Sequence, residues 1–515
     1  MTTIEPEKIH QSLAALRAEG YDFLRSLTGM DWGEEGLGVV YHLEKTATGE
    51  NKVVRTMTAN RENPELPSVC DLWKAAELNE REAYDFFGIH FIGHPDMRRL
   101  YLREDWVGHP FRKDYDESLN PLRMTNEEPD DDTHRFVELP DGSVIEKREV
   151  LFDQDEYIIN IGPQHPATHG VLRFRVSLEG EIIKKLDVHC GYIHRGIEKM
   201  CENLTYPQTL GLTDRLDYLA AHHNRHALCM CIENAMGIQV SERVQYIRTI
   251  MDELQRIDSH LLFFSCLCMD LGALTAFFYG FRDREKILDI FEATTGGRLI
   301  QNYNTIGGVQ ADIAPDFVKK VKEFIAWLRP TLREYHEVFT GNVIAHGRLE
   351  GVGILSREDA ISFGATGGTG RASGWACDVR KRHPYAMYGK VDFKEIVRTE
   401  GDCFARYMVR MEEIVESMNI IEQLIDNIPE GPFQEKTKAI IKVPEGSYYA
   451  AVEGSRGEFG VFLESRGDKY PYRLKFRSTG LPLVSIMDTV CQGAKIADLI
   501  AIGGTVDYVV PDIDR

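Results

Sequence analysis

The stretch Gly162-Pro163-Gln164-His165-Pro166-Ala167-Thr168-His169-Gly170 sets two histidines four residues apart, with proline and glycine fixing the backbone around them. An imidazole gains or loses its proton near neutral pH. A histidine at a loop tip can therefore present a ring nitrogen to a cleft, as proton donor or as hydrogen-bond partner. The bland alternative is a turn with two satisfied histidines. Two other side chains suit the same chemistry. Tyr218, in Asp214-Arg215-Leu216-Asp217-Tyr218-Leu219, carries a phenol that donates without bearing charge, although such a tyrosine is also ordinary core material. Asp270 stands in the apolar segment Met269-Asp270-Leu271-Gly272-Ala273-Leu274-Thr275, where a buried carboxylate needs a partner.

These residues need elements to hold them. Tyr157-Ile158-Ile159-Asn160-Ile161 and Val171-Leu172-Arg173-Phe174-Arg175-Val176 read as strands on either side of the histidine loop. From about residue 155 the pattern is mainly helical: Tyr206 to Met236, Ser241 to Leu271, Phe281 to Thr294, Pro315 to Phe339 and Phe393 to Asn427. Arg215, three residues before Tyr218, is thereby placed on the same helical face. Strands return at Ser447 to Val452, Gly460 to Glu464 and Tyr472 to Phe476. The front of the chain mixes a helix (Pro6 to Leu27), strands at Gly38 to Leu43 and Val53 to Met57, and a short helix from Asn79 to Phe87, a small α/β domain. Between the two parts lies an acidic, apolar-free run, Asn126 to Asp132, and a turn signal, Leu139-Pro140-Asp141-Gly142. Three regions are expected: 1–115, an acidic linker at 116–152, and 153–515.

A chain of 515 residues needs more than one core. No apolar run is long enough to span a bilayer, and the first residues lack the regions of a signal peptide, so a cytoplasmic protein is expected. The formal charge of −21 argues against nucleic acid and against electrostatic docking on anionic lipid; work at a membrane would need a partner protein. The ten cysteines read as thiols, and the close pairs Cys229/Cys231 and Cys266/Cys268 as buried small side chains. His90, His94 and His109 give no metal-ligand set, and no metal is expected on this chain. Gly364-Ala365-Thr366-Gly367-Gly368-Thr369-Gly370 lacks the Lys-Ser/Thr of a phosphate loop and is assigned to structure.

The histidine loop closely resembles the start of the 49 kDa-type (D) subunit of respiratory complex I, NADH:quinone oxidoreductase, and the likeness runs to the C-terminus. Glu80-Arg81-Glu82-Ala83-Tyr84-Asp85-Phe86-Phe87-Gly88-Ile89, Gly93-His94-Pro95-Asp96-Met97-Arg98-Arg99 and Asp105 to Tyr115 resemble the 30 kDa-type (C) subunit. The chain thus resembles a natural C/D fusion. The resemblance implies an α+β multidomain fold: a small α/β docking domain joined to a mainly α domain of the NiFe-hydrogenase-large-subunit type with peripheral strands. It implies that His169 and Tyr218 hold a quinone head group (menaquinone or ubiquinone), with His165 and Thr168 in the same loop. Asp270 would pair with His169, raising its pKa and orienting its ring. Arg215, His194 and Arg195 would face a terminal 4Fe-4S cluster on an adjacent subunit, with His260 a weaker candidate; for Arg215 the plain alternative is an ion pair with Asp214 or Glu198. No cluster or flavin is expected on this chain. The implied partners are the terminal-cluster subunit, the ferredoxin-like subunit and the membrane quinone-cavity subunit, at the cytoplasmic side of a bacterial inner membrane, with NADH oxidation coupled to quinone reduction and ion translocation.

Two departures stand out. Many members have a histidine near the cluster where this chain has Ile300, and the proline of the C-terminal tail is displaced to Pro511. A NiFe-hydrogenase centre is the rival reading, but it needs two Cys-x-x-Cys pairs to supply soft thiolates, and the chain has none. A non-catalytic scaffold of a ferredoxin-fed relative is the other; His169, Tyr218 and Asp270 argue against it.

Overall fold

A computed structural model of the chain describes residues 1–119, 134–138, 144–148, 157–164 and 169–515. The acidic run 126–132, the turn at 139–142, His165 and Thr168 lie outside the described residues. The chain forms two compact units: Met1–Gln164 with Leu172–Tyr192 and Cys491–Ile496, and His165–Val171 with Ile193–Val490 and Ala497–Arg515.

In the first unit, helix α1 (Pro6–Ala18) ends at Glu19-Gly20, with Gly20 at φ +99°. The helix expected through Leu27 is therefore too long: strand β1 (Phe23–Asp31) takes its last residues. Every residue of β1 is buried, and a strand buried on both faces shows no alternation to distinguish it from helix. It pairs antiparallel with β2 (Leu37–Glu44), which pairs with β3 (Asn51–Thr58), and Thr2–Thr3 adds a short parallel edge. Helix α2 (Ala76–Phe87) packs so closely on β1 that a Cβ at Gly29 would sit 2.7 Å from the Phe87 ring.

The charged residues of α2 serve the loops around it. Asp85 accepts backbone N–H bonds from Leu100, Tyr101 and Leu102 at 2.8–3.1 Å and an Arg99 bond at 2.8 Å. Glu80 holds Ser68 and Val69 in the same way. A second sheet of this unit, β4 (Tyr157–Gln164), β5 (Leu172–Glu179) and β6 (Ile182–His189), is antiparallel in the order β6-β5-β4. The two strands expected around the histidine loop are present, and β6 extends them.

The second unit is helical around α5. Helix α3 (Tyr206–Thr213) opens with a capping box between Thr205 and Gln208. The single helix expected from Tyr206 to Met236 is interrupted at 214–220, and α4 (Ala221–Met236) follows. Long-range bonds make the break. Asn224 donates to the Thr213 and Asp217 carbonyls at 3.3 and 3.0 Å, and the Asp217 carboxylate is taken by Arg456. Arg215 and Tyr218 thus sit in a turn and share no helical face.

Helix α5 (Glu242–Asp270), capped by Ser241, is buried along most of its length, as suits a helix packed on all sides. Around it lie α6 (Leu274–Thr295), α7 (Phe317–Tyr335) and α8 (Cys403–Leu424). The last begins ten residues later than expected. Residues 393–402 stay out of the helix because the Arg398 and Gly401 N–H groups bond to the Arg371 and Ala372 carbonyls. Strands β7 (Gly446–Gly454), β8 (Gly457–Ser465) and β9 (Arg473–Arg477) form an antiparallel sheet, and short helices α9 (Leu499–Val506) and α10 (Val510–Asp514) end the chain. The displaced Pro511 falls in the first turn of α10, where its missing N–H is no loss. Among the described residues no helix is long and apolar enough to cross a membrane.

Candidate functional site

His169 follows β4 and precedes β5, with φ +50°, a left-handed conformation that a non-glycine residue adopts only when its surroundings hold it. Gly170 beside it, at φ +151°, lets the loop lie against the chain end: a Cβ there would meet Val510 Cβ at 2.5 Å and Pro511 Cδ at 3.2 Å. The His169 Nδ1 and the Tyr218 hydroxyl lie 3.2 Å apart, in hydrogen-bond contact, with the rings edge to face. The phenol is the donor when Nδ1 is unprotonated. Burial pushes the Tyr218 pKa up to about 12, so the hydroxyl keeps its proton at neutral pH.

His169 also lines a small cavity with Cys266 and Asp270 of α5, Gly504 of α9, and Asp507 and Tyr508 beyond it. Asp270 accepts no hydrogen bond from any described residue, and burial alone pushes its pKa up to about 6. It shares the cavity with His169, but no hydrogen bond joins the two. Cys266 is pushed up to about 12 by burial and by the Asp270 charge, which leaves it a poor nucleophile. The cavity walls leave room for about one water molecule.

Behind this wall is a buried charge cluster that sequence reasoning missed. Arg456 donates to Asp217 at 3.0 Å, to Ser259 at 3.0 Å and to Asp507 at 3.1 Å. Arg410 lies 3.4 Å from Asp507 and over the Phe263 ring. In the sequence Arg456 stands in Glu453-Gly454-Ser455-Arg456-Gly457 between two strands, which reads as an exposed hairpin tip; it is fully buried. The glycine-rich stretch expected to be structural explains how: a Cβ at Gly367, φ +69°, would lie 2.3 Å from the Arg456 carbonyl oxygen.

None of the other sequence candidates among the described residues lines this cavity. Arg215 is exposed, and among the described residues its guanidinium bonds to the Gly211 carbonyl in the last turn of α3. Neither expected ion pair forms, since Asp214 lies against Arg225 and Glu198 against Arg473. Arg195 is exposed, and His194 Nδ1 meets the Asp514 carbonyl, so the chain end also fixes this segment. His260 is buried on Glu413 at 2.9 Å, away from solvent.

In the first unit, Cys70, Glu80 and His94 bring ligand-type atoms within 4.8 Å of one another. Each is already satisfied: the thiol on Glu80, Glu80 on Ser68 and Val69, and His94 between the Glu77 carbonyl and the Asp96 N–H. His109 is half-buried on the Asp85 carbonyl, and that burial pulls its pKa down to about 4.

The chain matches the family model of the respiratory-chain NADH dehydrogenase 30 Kd subunit over residues 2–120, and that of the 49 Kd subunit over residues 270–442 and 437–515. It is 85% identical to the C/D-type subunit of NADH-quinone oxidoreductase from Phocaeicola vulgatus and 74% identical to that from Bacteroides fragilis, each over 99% of both chains. The D-type subunit of NADH-quinone oxidoreductase from Desulfotalea psychrophila is 46% identical over 71% of this chain and 99% of its own length.

Proposed function

This chain belongs to the C/D fusion subunits of NADH-quinone oxidoreductase, complex I, and from that premise we propose that its second unit forms the wall of the quinone-reduction cavity. The observation that carries this reading is the His169–Tyr218 contact at a cavity shared with the unpaired Asp270. A quinone accepts two electrons and two protons. Its carbonyl oxygens take hydrogen bonds from the Tyr218 hydroxyl and from His169, whose ring passes a proton on. His165 and Thr168 belong to the same loop. Asp270, with a pKa near 6, exchanges protons close to working pH and re-supplies His169. Electrons come from a 4Fe-4S cluster on an adjacent subunit, which Arg215, Arg195 and His194 face.

The rest of the cavity is supplied by a membrane subunit. Leu274 and Phe278, four and eight residues after Asp270, expose 58% and 63% of their surface and suit such a partner. By the same reading residues 1–115 dock the ferredoxin-like and terminal-cluster subunits, 116–152 link, and 153–515 take the NiFe-hydrogenase-like fold without its metal. The complex then sits at the cytoplasmic side of the bacterial inner membrane, and membrane-embedded subunits couple quinone reduction to ion translocation.

Tyr218→Phe tests the reading directly. It removes one hydrogen-bond donor and little volume, so quinone-coupled NADH oxidation in membranes is expected to fall about tenfold. Oxidation by an artificial acceptor upstream is expected to hold; unchanged quinone kinetics would count against the site. A second test is pH. Asp270 is raised from its ordinary carboxylate value, so its protonated form favours folding below about pH 4, and that contribution is lost as pH rises through about 6. Asp270→Asn is expected to flatten both the stability profile and the quinone-rate profile across pH 4–6, checked by thermal melts and initial rates. Ile300, where the resemblance implies a histidine in many family members, leads to a third expectation: the cluster potential varies little with pH and lies low, as suits menaquinone. A potentiometric titration with a steep pH slope would contradict it.

A further inference from the structure

We propose that Arg456 is a positioning residue for the quinone site, which sets the Tyr218 hydroxyl against His169 by tying two separate chain segments together. This rests on the quinone-cavity reading above. The guanidinium is fully buried at the β7–β8 hairpin. One nitrogen bonds to Asp217, the residue before Tyr218, and the other to Asp507, which lines the cavity. Asp217 in turn accepts the Leu219 N–H at 3.1 Å, so its carboxylate fixes the backbone on both sides of Tyr218. Asp507 sits at φ +63°, a left-handed aspartate at the end of α9, and Arg456 and Arg410 hold it there.

The Tyr218 turn and the cavity wall therefore have a common anchor. The Tyr218 turn is a short irregular segment with no ladder or helix of its own to set its place, and Asp507 is the residue at which the cavity wall leaves α9. Arg456 reaches neither His169 nor the cavity, so its effect on a bound quinone passes through Asp217 and Asp507. Gly367 admits the hairpin backbone at a distance only glycine allows, which keeps the anchor itself from shifting. A lysine keeps the charge at this position but cannot span two carboxylates with a planar fork.

The test uses the assembled complex in native membranes with a short-chain quinone as substrate. Arg456→Gln and Arg456→Lys are both expected to raise the quinone KM, or lower kcat, about tenfold or more, because small misplacement of a reacting group is costly. The upstream artificial-acceptor rate is expected to hold. Should Arg456→Gln fail to assemble, Arg456→Gln with Asp217→Asn restores charge balance, leaving Asp507 on Arg410. A positioning role predicts that this double variant assembles and still shows the altered quinone kinetics. Quinone KM and kcat at the parental values in any assembled variant overturn the proposal. So does recovery of the parental kinetics in the double variant, which would leave Arg456 a charge-balancing role only. If His169→Ala also leaves the quinone rate intact, the cavity reading itself has failed, and the two failures are thereby told apart.

Discussion

Membranes carrying His169→Ala are expected to lose quinone-coupled NADH oxidation by about a hundredfold or more, the usual cost of deleting a proton-transfer group. The physical case is local. His169 both bonds to Tyr218 and lines the cavity, so the substitution removes a donor and frees the phenol together. Folding should change little. Alanine keeps the strained φ +50°, and Gly170 still seats the loop against Val510 and Pro511. Oxidation by an artificial acceptor upstream of the quinone is the control. If it survives while the quinone rate collapses, the chain forms the quinone site. If both rates persist, the loop is structural and the scaffold reading replaces the catalytic one. Histidine-tagged complex recovered at normal yield separates either result from failed assembly.

The largest effect on stability is expected from Glu413→Ala. Glu413 accepts from Arg371 at 2.9 Å, Arg380 at 2.7 Å and His260 at 2.9 Å, all fully buried. Burial alone would raise its pKa, but the Arg371, Arg380 and Arg256 guanidiniums and the His260 hydrogen bond together outweigh that and hold it well below the ordinary value. The surrounding core sets three guanidiniums, Arg256, Arg371 and Arg380, against four carboxylates, Glu253, Asp378, Glu413 and Glu453. Burial and the nearby Asp378 charge raise the Glu453 pKa to about 7, so of these carboxylates it takes up a proton most readily, and with that proton the charges balance.

Removing Glu413 leaves two arginines short of an anion in a dry interior, at a cost of about 3–5 kcal/mol. The complex is then expected in greatly reduced amount, measured by native gel and by thermal unfolding. Glu413→Gln should cost less. It keeps one acceptor oxygen, and Glu453 can release its proton to restore the balance. Equal losses in the two variants would show that packing, and not charge, sets the penalty. The same core explains His260: its imidazole is a hydrogen-bond partner of Glu413, buried too deeply to meet a cluster.

Much of the architecture is legible in the residues alone. The strands flanking the histidine loop, the helix of Asn79 to Phe87 and the long α5 lie close to where the residue pattern puts them, although β5 and α5 are buried on nearly all sides and show no single apolar face. The glycine-rich segment at 364–370 packs against the β7–β8 hairpin backbone, as a structural element does. The motifs at 80–89 and 93–99 point to the family, though not to their physical work, which is to hold neighbouring loops through Asp85 and Glu80. Where the sequence misleads, the cause is long-range. The helix drawn through 214–220 obeys a 3.6-residue period, but Asn224 and Arg456 take the backbone and carboxylate groups that would have continued it. The helix drawn through Leu27 fails because β1 is buried on both faces and carries no period of two.

The sequence by itself determined the membership of this chain, the chemical types at His169, Tyr218 and Asp270, and the absence of thiolate pairs for a nickel–iron centre. These are properties of residue identity and spacing. Only the tertiary structure decided that His169 meets Tyr218 from a left-handed backbone conformation, that Asp270 shares a cavity with His169 without a bond to it, and that a buried arginine at a hairpin tip ties Tyr218's turn to the cavity wall. Those contacts join residues 49 to 239 positions apart, and are fixed by packing and by the need to pair every buried charge, which no local pattern encodes.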